Sequence, residues 1–117
     1  MKKIIAVLAI YVFAGQASAY FYTGNDIVKW SRAGDRIAEN RAQSDDYWYS
    51  ALLVGYAIAT YDGYSGYLFC SPANASSEQV VAIVKKYVNE RPARWGEVAS
   101  NLMIDALRES FPCAKRH

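Results

Sequence analysis

A chain of 117 residues with 13 basic and 11 acidic side chains and 53% hydrophobic residues suits one domain with a modest core and is too short for two. Its net charge of +2, with no clustered basic patch, argues against a nucleic-acid partner. The single histidine, His117 at the C-terminus, leaves neither a base for a nucleophile nor a set of metal ligands, so the sequence predicts no enzyme, no metal and no cofactor.

The first element reads as an export signal. Lys2 and Lys3 form a charged start, residues 4–13 an apolar stretch, and Ala17, Ser18 and Ala19 a small-residue cleavage site. An apolar stretch of about a dozen residues falls short of the ~20 that span a bilayer, which predicts cleavage of residues 1–19 with Tyr20 as the new N-terminus. The expected mature domain is residues 20–117, periplasmic and free of the membrane. Lys2 and Lys3 leave with the signal, so eleven basic side chains balance eleven acidic ones.

Four helical segments follow, and no sustained strand alternation is present. Thr23 and Asp26 resemble a capping box, after which Ile27, Trp30, Gly34, Ile37 and Ala38 fall on one face. The second segment, from about residue 46 to 61, holds the unbroken apolar run 51–59. Such a helix is expected to be the central, buried one. Gly63 and Gly66 end it in a turn with Tyr61, Tyr64 and Tyr67. Ser76 and Gln79 form a second capping signature, and Val80, Ile83, Val84, Tyr87 and Val88 make the inward stripe of the third helix. Pro92 stops that helix, and Pro92 or Ala93 is expected to open the fourth, with Trp95, Val98, Ala99, Leu102, Met103, Ala106 and Leu107 on one face. The expected fold class is therefore all-α, a small bundle of about four helices. In an oxidising compartment the two cysteines, Cys70 and Cys113, are expected to pair.

The C-terminal half presents, in order, Gly66, Phe69, Cys70, Pro72, Ser76, Gln79, Tyr87, Pro92, Ala99, Ala106, Leu107, Phe111, Pro112 and Cys113. This series resembles the Rap/Tai family of type VI secretion immunity proteins, and Asn25, Asp26, Ile27 and Gly55 match its N-terminal half more loosely. Ser31 and Tyr49 stand where the family often carries two further cysteines. The resemblance implies a helical, often dimeric periplasmic protein that binds a cell-wall amidase effector and blocks its active site. The alternative is a structural or regulatory envelope protein that uses the same scaffold for a different protein target.

Fifteen of the 98 mature residues are aromatic, more than so small a core accommodates, and Tyr and Trp favour interfaces because they join large rigid area to a polar end. Two clusters stand out as candidate partner-binding residues. One is the turn with Tyr61, Asp62, Tyr64, Ser65 and Tyr67, whose Tyr, Ser and Gly content is that of binding loops. The other is Asp45, Asp46, Tyr47 and Trp48 at the start of the second helix.

Overall fold

The computed structural model describes residues 20–114; the export signal read at residues 1–19 and His117 lie outside them. The elements are α1 (Gly24–Ala38), α2 (Asp46–Tyr64), α3 (Ser77–Asn89), a single 3-10 turn (Pro92–Arg94) and α4 (Ala99–Ser110). The all-α expectation holds, and no helix among the described residues is long and apolar enough to cross a membrane.

Entry into α1 is fixed from two sides. The Asp26 carboxylate reaches back to accept the Thr23 N–H at 2.8 Å. Two N–H groups that a helix start leaves without partners donate outside the helix, Gly24 to Glu97 O at 3.0 Å and Asn25 to Trp95 O at 2.8 Å. This close approach needs a glycine: a Cβ on Gly24 would lie 2.7 Å from Trp95 Cα and 2.7 Å from Leu102 Cδ1. Those same bonds correct the expected start of the fourth helix. The carbonyls of Trp95 and Glu97 are committed to α1, so the chain makes one 3-10 turn after Pro92 and α4 begins only at Ala99. Trp95 consequently lies outside α4, half-buried, with its indole N–H donated to Val88 O at 2.7 Å.

Two further expectations are corrected. α1 and α2 pack along each other and each also touches α3 and α4, but the more deeply buried of the two is α1. It buries Ile27, Val28, Trp30, Ser31 and Ala33, a face rotated from the expected stripe, and leaves Ala38 exposed. In α2 only Asp46, Leu53, Ala57 and Thr60 are buried. Its run of apolar residues gives it an uncharged outer face that none of the described residues covers, so α2 is not the buried helix the sequence predicts. The stripes of α3 and α4 lie as the spacing predicts, with Val80, Val84 and Val88 facing Ala99, Leu102, Met103, Ala106 and Leu107 across one core. Ser76 caps α3, its hydroxyl accepting from Gln79 N–H at 3.1 Å.

The core continues into an aromatic cluster in which Trp30 meets Tyr22 edge-on, centroids 4.9 Å apart, and Tyr56 at 5.9 Å. At the far end, Tyr61 packs on both Phe69 and Phe111. There Cys70 and Cys113 form the predicted disulfide, which joins the loop after α2 to the residues just past α4.

Candidate partner-binding surface

Helix α2 sets the geometry of both candidate clusters. Its residues Trp48, Ala51, Gly55, Ala59 and Asp62 follow the alternating three- and four-residue spacing that keeps side chains on one helix face, and all five are exposed. Trp48 retains 67% of its surface in solvent, and Val54 on the flank 43%. From Tyr47 to Tyr61 no residue carries charge. Beside this face runs a groove of ≈ 310 Å³ between α2 and α3, lined by Val54, Ser77, Glu78, Val81, Ala82 and Lys85.

The first cluster divides at the α2 N-terminus. Asp45, Tyr47 and Trp48 point outward, with Tyr47 66% exposed. Asp46 turns inward, only 2% exposed, and is held by the Arg36 guanidinium through Nε at 2.8 Å and Nη2 at 2.7 Å and by the Gln43 N–H at 2.8 Å. Asp46 thus ties the α1–α2 corner together and is unavailable to a partner. The paired guanidinium, helped by the Gln43 N–H and opposed by burial, draws its carboxyl down to about 2.

This depressed value makes a stability contribution with a definite sign. The ionised form is favoured in the folded chain, so the contribution is complete above the unfolded carboxyl value near 4 and is lost as pH falls toward 2. In urea unfolding at a series of pH values, wild type is expected to exceed Asp46→Asn in stability most at pH 5 and above. The gap should close progressively below about pH 4, as the wild-type carboxyl takes up its proton.

The second cluster, at the α2 C-terminus, also divides. Tyr61 is half-buried against Phe69 and Phe111. Asp62 is exposed at the end of the apolar face, and Tyr64 and Tyr67 keep 42% and 84% of their surface. Ser65 is half-buried, its hydroxyl 2.9 Å from that of Ser71. Leu68, 42% exposed beside Tyr67, also belongs to this surface and is not among the residues that the sequence singles out. The two clusters sit roughly 25 Å apart along the helix, so one chain does not bring them together.

Elsewhere Arg91 and Arg94 are occupied within the fold. Arg94 forks onto Glu97 and bonds Asp105 and the Tyr87 hydroxyl, while Arg91 lies 3.7 Å over the Tyr87 ring and pairs with Glu109. Ser31, at one of the positions where a cysteine is often expected, is buried and accepts from Asn89 Nδ2 at 3.1 Å. Tyr49, at the other, carries the Lys29 ammonium 4.2 Å over its ring.

A search of curated proteins found no match. The family model described as Rap1a immunity proteins matches residues 23–113, a span that includes all four helices and both cysteines.

Proposed function

Because the chain belongs to the Rap1a immunity protein family, we propose that it is exported to the periplasm and there binds and occludes a peptidoglycan amidase effector of type VI secretion. Membership supports an immunity role; the amidase target and the compartment rest on the resemblance and on the signal-like residues 1–19. The observation that carries the binding reading is the set of exposed aromatics at the two ends of α2, Tyr47 and Trp48 at one end and Tyr64 and Tyr67 at the other. Beside them stand the exposed carboxylates Asp45 and Asp62. Exposed aromatic side chains of this kind carry most of the energy in protein interfaces.

The same reading makes the protein a homodimer through the outer face of α2. That face is uncharged over four turns and has Gly55 at its centre, with open space around it, and the small residues Ala51 and Ala59 flank it symmetrically. Two copies packed antiparallel about Gly55 would set Trp48 of each beside Asp62 of the other. The dimer would then carry two composite patches, each built from the N-terminal cluster of one copy and the C-terminal cluster of its mate.

Pull-down and titration of the mature chain with amidase effectors encoded beside it test the reading. A complex is expected, and Trp48→Ala or Tyr67→Ala should each weaken it by roughly thirtyfold or more, the range of interface anchors worth about 2 kcal/mol or above. Failure to bind any amidase, or capture of an envelope component instead, would move the scaffold to the alternative role.

A further inference from the structure

We infer that the Cys70–Cys113 bridge is a local redox latch, which holds the tyrosine loop after α2 in its binding shape and opens on reduction without melting the helical core. The inference rests on the proposed role of that loop in binding and concerns its regulation. Between the end of α2 at Tyr64 and the start of α3 at Ser77 the chain has no regular structure beyond local turns. Within the loop, Tyr67 and Leu68 N–H both donate to Tyr64 O, Gly66 N–H to Phe69 O, and Ala75 N–H to Pro72 O. Among the described residues, apart from the bond of Val80 N–H to Ser76 O that starts α3, one backbone hydrogen bond joins this loop to a segment beyond α2, from Cys70 N–H to Phe111 O at 2.8 Å.

The remaining fastenings lie next to it. Phe69 is fully buried and shares the Tyr61 ring with Phe111, and Cys70 is bonded to Cys113, two residues past Phe111. Tyr67 and Leu68 hang from the end of α2 through Tyr64 O, and what ties the chain beyond them to the end of α4 is gathered at one covalent bridge and its immediate neighbours. The helical core is held by Trp30, Leu102, Met103, Leu107 and the α3 valines, all of them on helices, and Phe69 is the one fully buried residue that the loop adds to it.

Both half-cystine residues are exposed, which puts the bridge at the surface of the folded protein. Reduction is a two-electron exchange with a dithiol. One thiolate attacks a bridge sulfur and forms a mixed disulfide, and the second thiol displaces it. Cys70 and Cys113 end as thiols carrying two protons, and the dithiol closes to its own disulfide. Loss of the cross-link leaves the loop its own turn hydrogen bonds, the Ser65–Ser71 hydroxyl contact, the Cys70–Phe111 bond and the packing of Phe69 and Ala75, too little to order about a dozen residues against their conformational entropy. A chain still in a reducing compartment would then carry a folded core with an undisplayed loop, and oxidation after export would complete the docking surface.

Hydrogen exchange on the oxidised mature protein, on the same protein in dithiothreitol, and on Cys70→Ser/Cys113→Ser tests this without any effector. On reduction, amides of residues 66–75 and Phe111 are expected to exchange about tenfold faster or more, while those in the middle of α1 and α3 stay protected. Helical circular dichroism should be retained at 25 °C. Dithiothreitol should open the bridge at a similar rate with and without mild urea, because no unfolding precedes attack. Unchanged exchange in the loop, simultaneous loss of protection in all helices, or reduction only under unfolding conditions would each overturn the latch. If the double variant fails to accumulate, the reduced wild-type chain supplies the same three readouts. A loop that opens as expected in a protein that binds no amidase in either state would reject the functional reading and leave the latch standing.

Discussion

Cys113→Ser is expected to lower the melting temperature of the mature chain by roughly 15 to 30 °C. The bridge spans a sequence separation of 43, and closing a loop of that length in the unfolded ensemble is worth about 4 kcal/mol in the chain-entropy view. In a domain of this size each kcal/mol moves the midpoint by about 4 to 8 °C. On the folded side both half-cystines are exposed and a serine hydroxyl at either position stays in water, while release of the loop returns part of the cost as local chain freedom. The larger share of the effect acts through the unfolded state, and reduced wild type should melt close to the variant. With domain stabilities of about 5–15 kcal/mol as the usual range, the uncross-linked chain still folds at 25 °C, the state in which the loop is expected to open. Scanning calorimetry on the three forms decides the matter. Coincident melting of oxidised and reduced protein would mean that the bridge contributes nothing.

Helices α3 and α4 were legible because each buries one stripe and wets the other, which is what a 3.6-residue period encodes. α1 and α2 were misread for a shared reason. Periodicity says which residues lie together on a face, and composition says whether the face is apolar, but neither says how much of that face the neighbours cover. α1 and α2 each meet the three other helices, yet α1 buries a wide face that includes Ser31, whereas α2 keeps an apolar surface that none of the described residues covers. The late start of α4 was hidden because it depends on carbonyls of Trp95 and Glu97 bonding to Gly24 and Asn25, about seventy residues earlier in the chain.

The candidate site divides along the same line. Asp45 and Asp46 are adjacent and identical in type, yet one is exposed and the other is clamped by Arg36, ten residues away across a corner. Tyr61 and Tyr64 belong to α2, which runs through Gly63 to Tyr64 instead of ending near residue 61 in the expected turn, and Tyr67 lies just past it; only Tyr61 faces Phe69 and Phe111. The sequence placed the clusters at the right ends of α2; which members point outward is decided by tertiary partners that spacing does not reveal.

The uncovered face of α2 leads to the second large effect. If it pairs with a second copy, Gly55→Arg should convert the mature protein from a dimer to a monomer. A Cβ at position 55 meets nothing within 4 Å in the single chain, so an arginine there extends into solvent, and replacing a mid-helix glycine favours the monomer's helix if anything. In the antiparallel pair the same position is the point of closest approach, where two guanidinium groups would face each other in an apolar seam without a counter-charge, a burial that associating chains do not tolerate. The selectivity is what makes the variant informative: an unchanged monomer fold by circular dichroism, with mass by light scattering at tens of micromolar falling to that of one chain. Amidase affinity should fall with it, because the clusters at Trp48 and Tyr67 lie roughly 25 Å apart in one chain and meet only across the pair. A wild-type protein already monomeric at that concentration would discard the dimer. A variant that is monomeric yet binds its effector undiminished would confine the docking surface to one end of α2.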